Sequence, residues 1–566
     1  MNIKNIIKFL YKVVLQIIII SIFFSTANAK KPNKFEKGKY ISNYFSGIIL
    51  FNNNEFDGSY SFLKKLDGLE QSHDYYTTKY LFSLVNLGKL SEAFYYSKKL
   101  EKKGLSNFES DLITGIYHLK NEEFDKAKKY FLKIKENKSK YILNDFIPTS
   151  LLNWASFNKL NFEDARQKIN SADFNSEKLK NIQNTFLNCY YKNEKTEFFF
   201  KKLVSSEKDF SRYNYFYVKY LFDIGKNELG GQVLEESLIS FPRNLLLNEF
   251  KINLKNKKKI DNFNCQNESH VIAEIFYIAS NLLSSQNLYS YSNFYLNLAK
   301  FLNKNFYSFD TLLAENFLNL KNYKQAKKIY YKLKNKGDAF SWHAAKQEAN
   351  IYLLKDEKEK ALKLLSIAFN KIQNKTVYDQ FDYAEFLKNN KEFEKSIKYY
   401  TEILNLINKS HFLFSEVMDS RGVAHERTGE WTKAEKDLLA SLEVRPDQAY
   451  VINYLAYSWI EQGIKIDQSL KMLEKANKLK SNDPYIIDSI GWALFKLKRY
   501  KESKKYLQQA VKLMPADPIV NDHYGDVLWK NGKEIEARYY WRYVLNLEST
   551  EKELKKNIKN KLILGI

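Results

Sequence analysis

The chain has 566 residues, too many for one compact core and enough for several domains or a repeat array. The chain contains only 18 Gly and 7 Pro, which disfavours a turn-rich all-β fold. Its aromatic content of 16% excludes a disordered chain. The net charge of +24 comes mainly from Lys; because dense Arg clusters are absent, no nucleic-acid partner is predicted. An AT-rich genome accounts for this composition, and attraction to anionic envelope polymers or lipid headgroups is the open alternative.

The first 29 residues have the anatomy of a secretory signal peptide. Three lysines precede an apolar run at 13–24, and a small-x-small cleavage site ends at Ala29. We expect cleavage after Ala29 and a soluble periplasmic chain, with an uncleaved anchor as the alternative. No Cys lies directly after the apolar run, so no lipid attachment of the bacterial lipoprotein type is predicted.

Residues 30–250 are predicted to form an array of helical repeats that becomes degenerate after residue 177. Small residues recur at Ser59, Ala93 and Ala127, spaced 34 residues apart, and again at Ala165. Self-similarity at this period is typical of stacked helix pairs, each of which needs its neighbours to bury its apolar face.

The Lys-rich stretch 251–269 is the candidate break between two halves of the array. It contains Cys265, and the other cysteine is Cys189. In an elongated array, residues 76 positions apart lie about two repeats from each other. We therefore expect two buried or unpaired thiols and no metal site.

The remainder divides into a middle array (270–414), well-formed C-terminal repeats (415–548) and a capping helix (549–566). In the C-terminal repeats a small residue recurs at spacings of 35, 34 and 34, and another small residue commonly lies twelve positions earlier. These spacings suit two antiparallel helices that cross closely. The turns between the two helices carry Gly429, Gly463 and Gly532, and second helices end at Pro446 and Pro515. The recurring small residues are Ala434, Ser469, Ser503 and Ala537.

The sequence resembles the tetratricopeptide repeat (TPR) family over about residues 40–548. The matching residues are Gly422, Gly429, Trp431, Ala434, Leu438 and Pro446, then Gly491, Leu494, Tyr500, Ser503, Leu507, Ala510 and Pro515. The resemblance implies an all-α solenoid, a right-handed superhelix of about thirteen or fourteen helix pairs with a concave inner groove. The last repeats also resemble exported proteobacterial TPR proteins, some of which are adaptors for periplasmic carboxyl-terminal processing proteases.

The resemblance implies that the first helix of each pair lines the groove and that one column of its residues points inward. In the last four repeats that column is Asp419, Asn453, Asp488 and Asp522, followed along the same face by Tyr457, Trp492, Asp526, Phe495 and Trp529. We expect the tryptophans to be exposed there as anchors for a peptide or protein partner. The alternative is an ordinary solvated helix face, with short polar residues near helix starts.

No catalytic constellation is present, and we predict neither an enzyme nor a cofactor. The sequence has no HExxH, CxxC, GxSxG, Walker or dinucleotide motif. His425 falls at a core position of its repeat, and His523 falls at a position expected on the surface of a first helix.

The predicted function is an exported scaffold or adaptor that binds a protein or peptide partner, such as a periplasmic protease, in its concave groove. The alternative is a protein that binds or assembles peptidoglycan, polysaccharide or lipid headgroups through its Lys-rich exterior. Ionic strength separates the two, because a contact made by lysines weakens steeply with salt.

Overall fold

A computed structural model describes residues 34–566 apart from 72, 137–144, 173, 175 and 206–210. The predicted signal peptide and its cleavage site lie outside these described residues. The described residues form α-helices, one 3₁₀ turn and loops, and contain no strand, as the all-α prediction requires. None of the described helices combines the length and apolarity needed to cross a membrane.

The chain divides into two compact units after Glu357, and residues 251–269 lie inside the first unit. The described helices of the first unit are α1 (Lys34–Asn52), α2 (Phe56–Leu63), α3 (Asp74–Asn86), α4 (Leu90–Lys102), α5 (Phe108–Lys120), α6 (Phe124–Glu136), α7 (Phe146–Phe157), α8 (Phe162–Ser171), α9 (Glu177–Tyr190), α10 (Thr196–Ser205), α11 (Ser211–Asp223), α12 (Asn227–Ser240), α13 (Leu245–Lys255), α14 (Glu268–Ser285), α15 (Tyr289–Leu302), α16 (Ser308–Asn319), α17 (Tyr323–Leu333) and α18 (Asp338–Leu353).

The second unit, Lys358–Ile566, contains twelve helices. They are α19 (Lys358–Lys371), α20 (Val377–Asn389), α21 (Phe393–Leu406), α22 (Phe414–Arg427), α23 (Trp431–Val444), α24 (Ala449–Glu461), α25 (Ile466–Leu479), α26 (Pro484–Lys496), α27 (Tyr500–Leu513), α28 (Pro518–Lys530), α29 (Glu534–Asn546) and α30 (Lys552–Leu564).

The repeat motif is explained by local packing within each helix pair. Asp483 caps α26 by accepting hydrogen bonds from the backbone N–H groups of the first turn, and Pro484 follows at the first helical position. Gly491 lets α26 cross α27 closely, because a Cβ there would lie 2.6 Å from Cγ of Leu507. Ser503 donates a 2.6 Å hydrogen bond to the Gly491 carbonyl across the same crossing.

In the second unit, the first helices of the pairs form the inner layer. Helix α20 contacts α22, and α24 contacts α26, which contacts α28; successive second helices contact each other less. Stacked pairs bend toward the side on which their helices approach. The inner face of this unit is therefore built from α20, α22, α24, α26 and α28, as the resemblance implies.

The first unit closes on itself instead of remaining an open array. Phe82 of α3 stacks on Phe294 of α15, with ring centroids 4.3 Å apart. Ser290 donates a 2.6 Å hydrogen bond to the side chain of Asn54, 236 residues earlier, and Lys120 donates to the carbonyl of Leu302 at 2.8 Å. Helices α15 to α17 thus cover the face of α2, α3 and α5 that an open array would expose.

The two cysteines form a disulfide, so the expectation of buried or unpaired thiols is wrong. Cys189 on α9 and Cys265 have Cα atoms 5.9 Å apart. The expectation assumed two complete repeats between them. The pair that begins with α13 lacks its second helix, and the non-helical stretch 256–267 instead runs back along the first helices. Phe263 in this stretch packs on Phe216 of α11, with ring centroids 4.5 Å apart.

Candidate functional site

The column predicted to point inward lies on consecutive first helices of the second unit. Asp419 is on α22, Asn453 on α24, Asp488 on α26 and Asp522 on α28. The structure separates them into two groups. Asp488 and Asp522 are buried and have partners two helices further along the chain, on α28 and α30. Asp419 and Asn453 are only partly buried and lack such partners among the described residues.

Asp488 binds His523, which the sequence placed on the surface of its helix. Nδ1 of His523 lies 3.0 Å and 3.1 Å from the two carboxylate oxygens of Asp488. His523 is only 5% exposed, so the surface prediction is wrong. Burial opposes its protonation, but the nearby carboxylate of Asp488 more than offsets this and raises the pKa of His523.

Trp492 is a packing residue and not an exposed anchor, which corrects the sequence prediction. It is 8% exposed and lies parallel to the His523 ring at 3.9 Å and to the Phe495 ring at 4.8 Å. Its indole N–H donates to a carboxylate oxygen of Glu461. Inner-face side chains of consecutive repeats are close enough to stack on one another, which fills the space expected for a ligand.

Asp522 and Asp526 are both bound to Lys561 of the terminal helix α30. The ammonium lies 2.6 Å from Asp522 and 2.7 Å and 2.8 Å from the two oxygens of Asp526. Trp541 donates its indole N–H to Asp526 at 3.1 Å. Burial and the charge of Asp522 raise the pKa of Asp526 to about 6, against the opposing effect of Lys561.

Trp529, the second predicted anchor, is covered in part by the end of the chain. Gly565 packs against its ring, and the Arg538 guanidinium lies 4.6 Å from the ring centroid. Lys530 donates to the carbonyl of Ile566 at 2.9 Å. Helix α30 therefore occupies the position that the next repeat would take. It covers one end of the lower inner face, which is the part formed by α26 and α28.

The upper inner face, formed by α22 and α24, is different. Asp419 accepts no hydrogen bond and forms no ion pair with any described residue. Burial raises the pKa of Asp419 to about 6; Lys388 opposes this rise, while Glu385 adds to it. The Lys388 ammonium is already engaged with Glu385, at 2.9 Å, and with the hydroxyl of Ser420, at 2.9 Å. Asp419 is thus a desolvated carboxylate with no donor of its own among the described residues.

Asn453 also has an unused acceptor. Its side-chain oxygen is buried and has no hydrogen-bond partner in the part of the chain that the structure describes. Tyr457, one turn further along α24, is partly buried, and its ring lies 6.4 Å from that of His523. Two acceptors without donors among the described residues thus lie on adjacent first helices, α22 and α24.

His425 is buried, as predicted, and its Nδ1 lies 2.7 Å from a carboxylate oxygen of Glu430. The sequence reasoning missed Lys561 and Glu461 as partners of the inner residues. A signal was available, because Asp488 and His523 are 35 residues apart, as are Asp526 and Lys561. Pairing Asp488 and Asp526 with the residue one repeat later finds these two contacts. The Asp522–Lys561 pair, 39 residues apart, and the Glu461–Trp492 pair, 31 residues apart, do not follow this spacing.

In the described residues, no group of three or more His, Cys, Asp or Glu side chains is arranged to hold a metal ion. His523 is enclosed by Asp488 and Trp492 and is only 5% exposed. The chemistry of this face is hydrogen bonding and charge pairing.

Comparisons with known proteins agree with the repeat architecture. A tetratricopeptide repeat profile matches residues 296–550. The TPR repeat-containing protein PA4667 of Pseudomonas aeruginosa is 30% identical over 120 residues, which are 20% of this chain and 18% of that protein. The match thus spans less than a fifth of the relative's length.

Three solved structures that align with about a third of this chain have TM-scores below 0.3. YrrB, described as a TPR protein with an unusual peptide-binding site, is 14% identical with a TM-score of 0.27 over 33% of this chain and 92% of its own. TTC0263, a TPR protein of Thermus thermophilus, is 14% identical with a TM-score of 0.29, over 33% of this chain and 100% of its own. MamA of Desulfovibrio magneticus RS-1 is 15% identical with a TM-score of 0.28, over 32% and 99%.

The fold defines an all-α protein built from stacked antiparallel helix pairs. Over residues 296–550 its repeats match the tetratricopeptide repeat profile.

Proposed function

We propose that this protein is an exported scaffold that binds a protein or peptide partner on the inner face of its second unit. TPR arrays are interaction surfaces, since stacked repeats present an extended face of regularly spaced side chains. This family assignment supports protein binding in general.

The observation that carries the proposal is the contrast between the inner faces. In the first unit, α15 to α17 pack against α2, α3 and α5, so the face is occupied by the protein itself. In the second unit, the lower inner face is filled by His523, Trp492 and Lys561. The described residues leave acceptors without donors on α22 and α24, at Asp419 and Asn453.

Export is proposed on two features. The first 29 residues read as a signal peptide, with a cleavage site after Ala29. The Cys189–Cys265 disulfide suits an oxidising compartment such as the bacterial periplasm. Mass spectrometry of the protein recovered from cells should find Lys30 as the first residue; an intact Met1 in the membrane fraction would indicate a retained anchor.

Partner binding can be tested with a photo-crosslinking amino acid. It would replace Val423, at an inward position of α22, or, as a matched control, Lys436, which is exposed on the second helix α23. After irradiation in intact cells, we expect a specific crosslinked protein from position 423 and none from position 436. A periplasmic carboxyl-terminal processing protease is the partner to test first. Crosslinking from position 436 alone would place the interface on the outside.

An envelope polymer is the second candidate ligand, because lysines accumulate on the outer helices. The second helices α19, α21, α23, α25, α27 and α29 carry seventeen basic and eleven acidic side chains. If this surface holds peptidoglycan, polysaccharide or lipid headgroups, sedimentation with purified sacculi or anionic vesicles should be lost as salt increases. A protein crosslinked from position 423 favours the inner face instead.

A further inference from the structure

We propose that the partner of the inner face is a basic segment, which places lysine or arginine side chains against Asp419 and Asn453. The inference rests on the proposed function, because it names the chemistry of the partner that the inner face would hold.

Charge is segregated between the two layers of the second unit. Its first helices α20, α22, α24, α26 and α28 carry ten acidic and five basic side chains. The second helices carry the opposite excess, and the whole chain has a net charge of +24. The inner layer is therefore an acidic surface on a basic protein. Such a surface attracts a positively charged partner and repels a free carboxyl terminus.

The lower inner face shows how carboxylates in this column are satisfied. Asp488 is paired with His523, and Asp522 shares Lys561 with Asp526. In both cases the donor is a nitrogen from two helices further along the chain, on α28 for Asp488 and on α30 for Asp522 and Asp526. Where the chain itself provides a cationic or N–H group, the column binds it.

The upper inner face has the same type of acceptor without the donor. Asp419 is partly buried and has no hydrogen bond or ion pair with a described residue, and the buried side-chain oxygen of Asn453 has no donor within the same described part of the chain. Glu426, one helical turn beyond Val423, accepts from Tyr454 at 2.7 Å and lies 3.4 Å from Arg427. An ammonium or guanidinium group supplies both the positive charge and the N–H donors that these acceptors lack.

The partner would therefore be an extended or helical segment with Lys or Arg beside apolar side chains, which can pack against Tyr457. The chain's own α30 has this character, since Lys561 is followed by three apolar residues at 562–564. A synthetic peptide with the sequence of residues 549–566 is accordingly a defined probe of known charge pattern. A second peptide, in which all its lysines are replaced by glutamine, is the matched control.

Binding of the fluorescein-labelled peptides to the full-length mature protein would be measured by fluorescence anisotropy. We expect the lysine peptide to bind at least about tenfold more tightly than the glutamine peptide, because each desolvated charge pair contributes strongly. Asp419→Asn keeps the shape of the side chain and should abolish that preference. Asp447→Asn, which neutralises an exposed carboxylate in the loop after α23, should leave it unchanged.

The proposal is overturned if the glutamine peptide binds as well as the lysine peptide, if no lysine peptide binds, or if Asp419→Asn has no effect. Light scattering provides a further check: dimerisation that requires Lys561 would show that the occupant is a second copy of this chain. Failure of the charge prediction is distinguishable from failure of the proposed function. A neutral or acidic partner crosslinked at position 423 would refute the first and retain the second.

Discussion

The disulfide between Cys189 and Cys265 should be a major source of stability for the first unit. Replacing both cysteines with alanine removes a crosslink that closes a loop of 76 residues. In the chain-entropy description, closing such a loop raises the free energy of the unfolded chain by about 4.5 kcal/mol at 25 °C. This is an upper value, because unfolded chains retain some structure.

Other contacts decide how much of the local structure survives without the disulfide. Phe263 is 4% exposed and packs on Phe216, and Asn303 donates a 2.8 Å hydrogen bond to the carbonyl of Asn262. These contacts hold residues 256–267 at a second point. We therefore expect the double variant to fold with its helices intact, at a cost of about 3–4.5 kcal/mol.

The assay is urea unfolding followed by circular dichroism, combined with hydrogen exchange of peptides that cover residues 177–190 and 256–267. The exchange data assign the loss to the first unit, since residues of the second unit should keep their protection. Wild-type protein treated with a reductant should behave like the double variant. Free thiols in the purified exported protein, or a loss below about 1 kcal/mol on reduction, would refute the reasoning.

Four further substitutions test side-chain packing, backbone strain and a buried carboxyl group. Trp492→Ala should cost about 3–5 kcal/mol in urea unfolding, as expected for a buried aromatic; an unchanged midpoint would restore the exposed-anchor interpretation. Gly491→Ala places a Cβ 2.6 Å from Leu507 and should cost about 1–3 kcal/mol by the same assay. Lys498→Gly should raise the melting temperature, because Lys498 has a left-handed φ of 61° that costs about 1–2 kcal/mol in a non-glycine residue. Burial raises the pKa of Glu249 from 4.5 to about 7, so the folded protein retains a proton that the unfolded chain releases. Stability should therefore fall as pH rises from about 4.5 to 7, and Glu249→Gln should flatten this dependence in urea unfolding at about pH 5 and pH 8.

The sequence was sufficient for the features that depend on one helix pair. The twelve-residue spacing from Gly491 to Ser503 predicts the crossing of α26 and α27, where the hydroxyl of Ser503 binds the Gly491 carbonyl. The positive φ values of Gly429, Gly463 and Gly532 follow for the same reason. These features are set by residues close in the chain, so a repeated pattern identifies them.

Contacts between repeats were harder to predict, because they depend on how closely consecutive first helices approach. The register placed Trp492 correctly on the inner side of α26 but could not show that His523, 31 residues later, lies against it at 3.9 Å. The closure of the first unit joins Asn54 to Ser290 and depends on the path of all the intervening repeats. The Cys189–Cys265 pairing required one more irregularity, the missing second helix after α13.

The positions that tolerate Lys and Asn explain how a biased composition coexists with a well-packed fold. Several inter-helix turns have a left-handed residue that is not glycine, including Lys321, Lys391 and Lys498, with φ from 57° to 63°. The strain of a Cβ in that conformation is local to the turn, so the cost is limited to about 1–2 kcal/mol. At Gly491, by contrast, the Cβ would meet Leu507, including its backbone nitrogen at 3.2 Å. Compositional drift is thus absorbed in turns and on the outer helices, where a lysine costs little. An acidic inner layer is not what that drift produces, and this is the physical reason to look for a basic partner there.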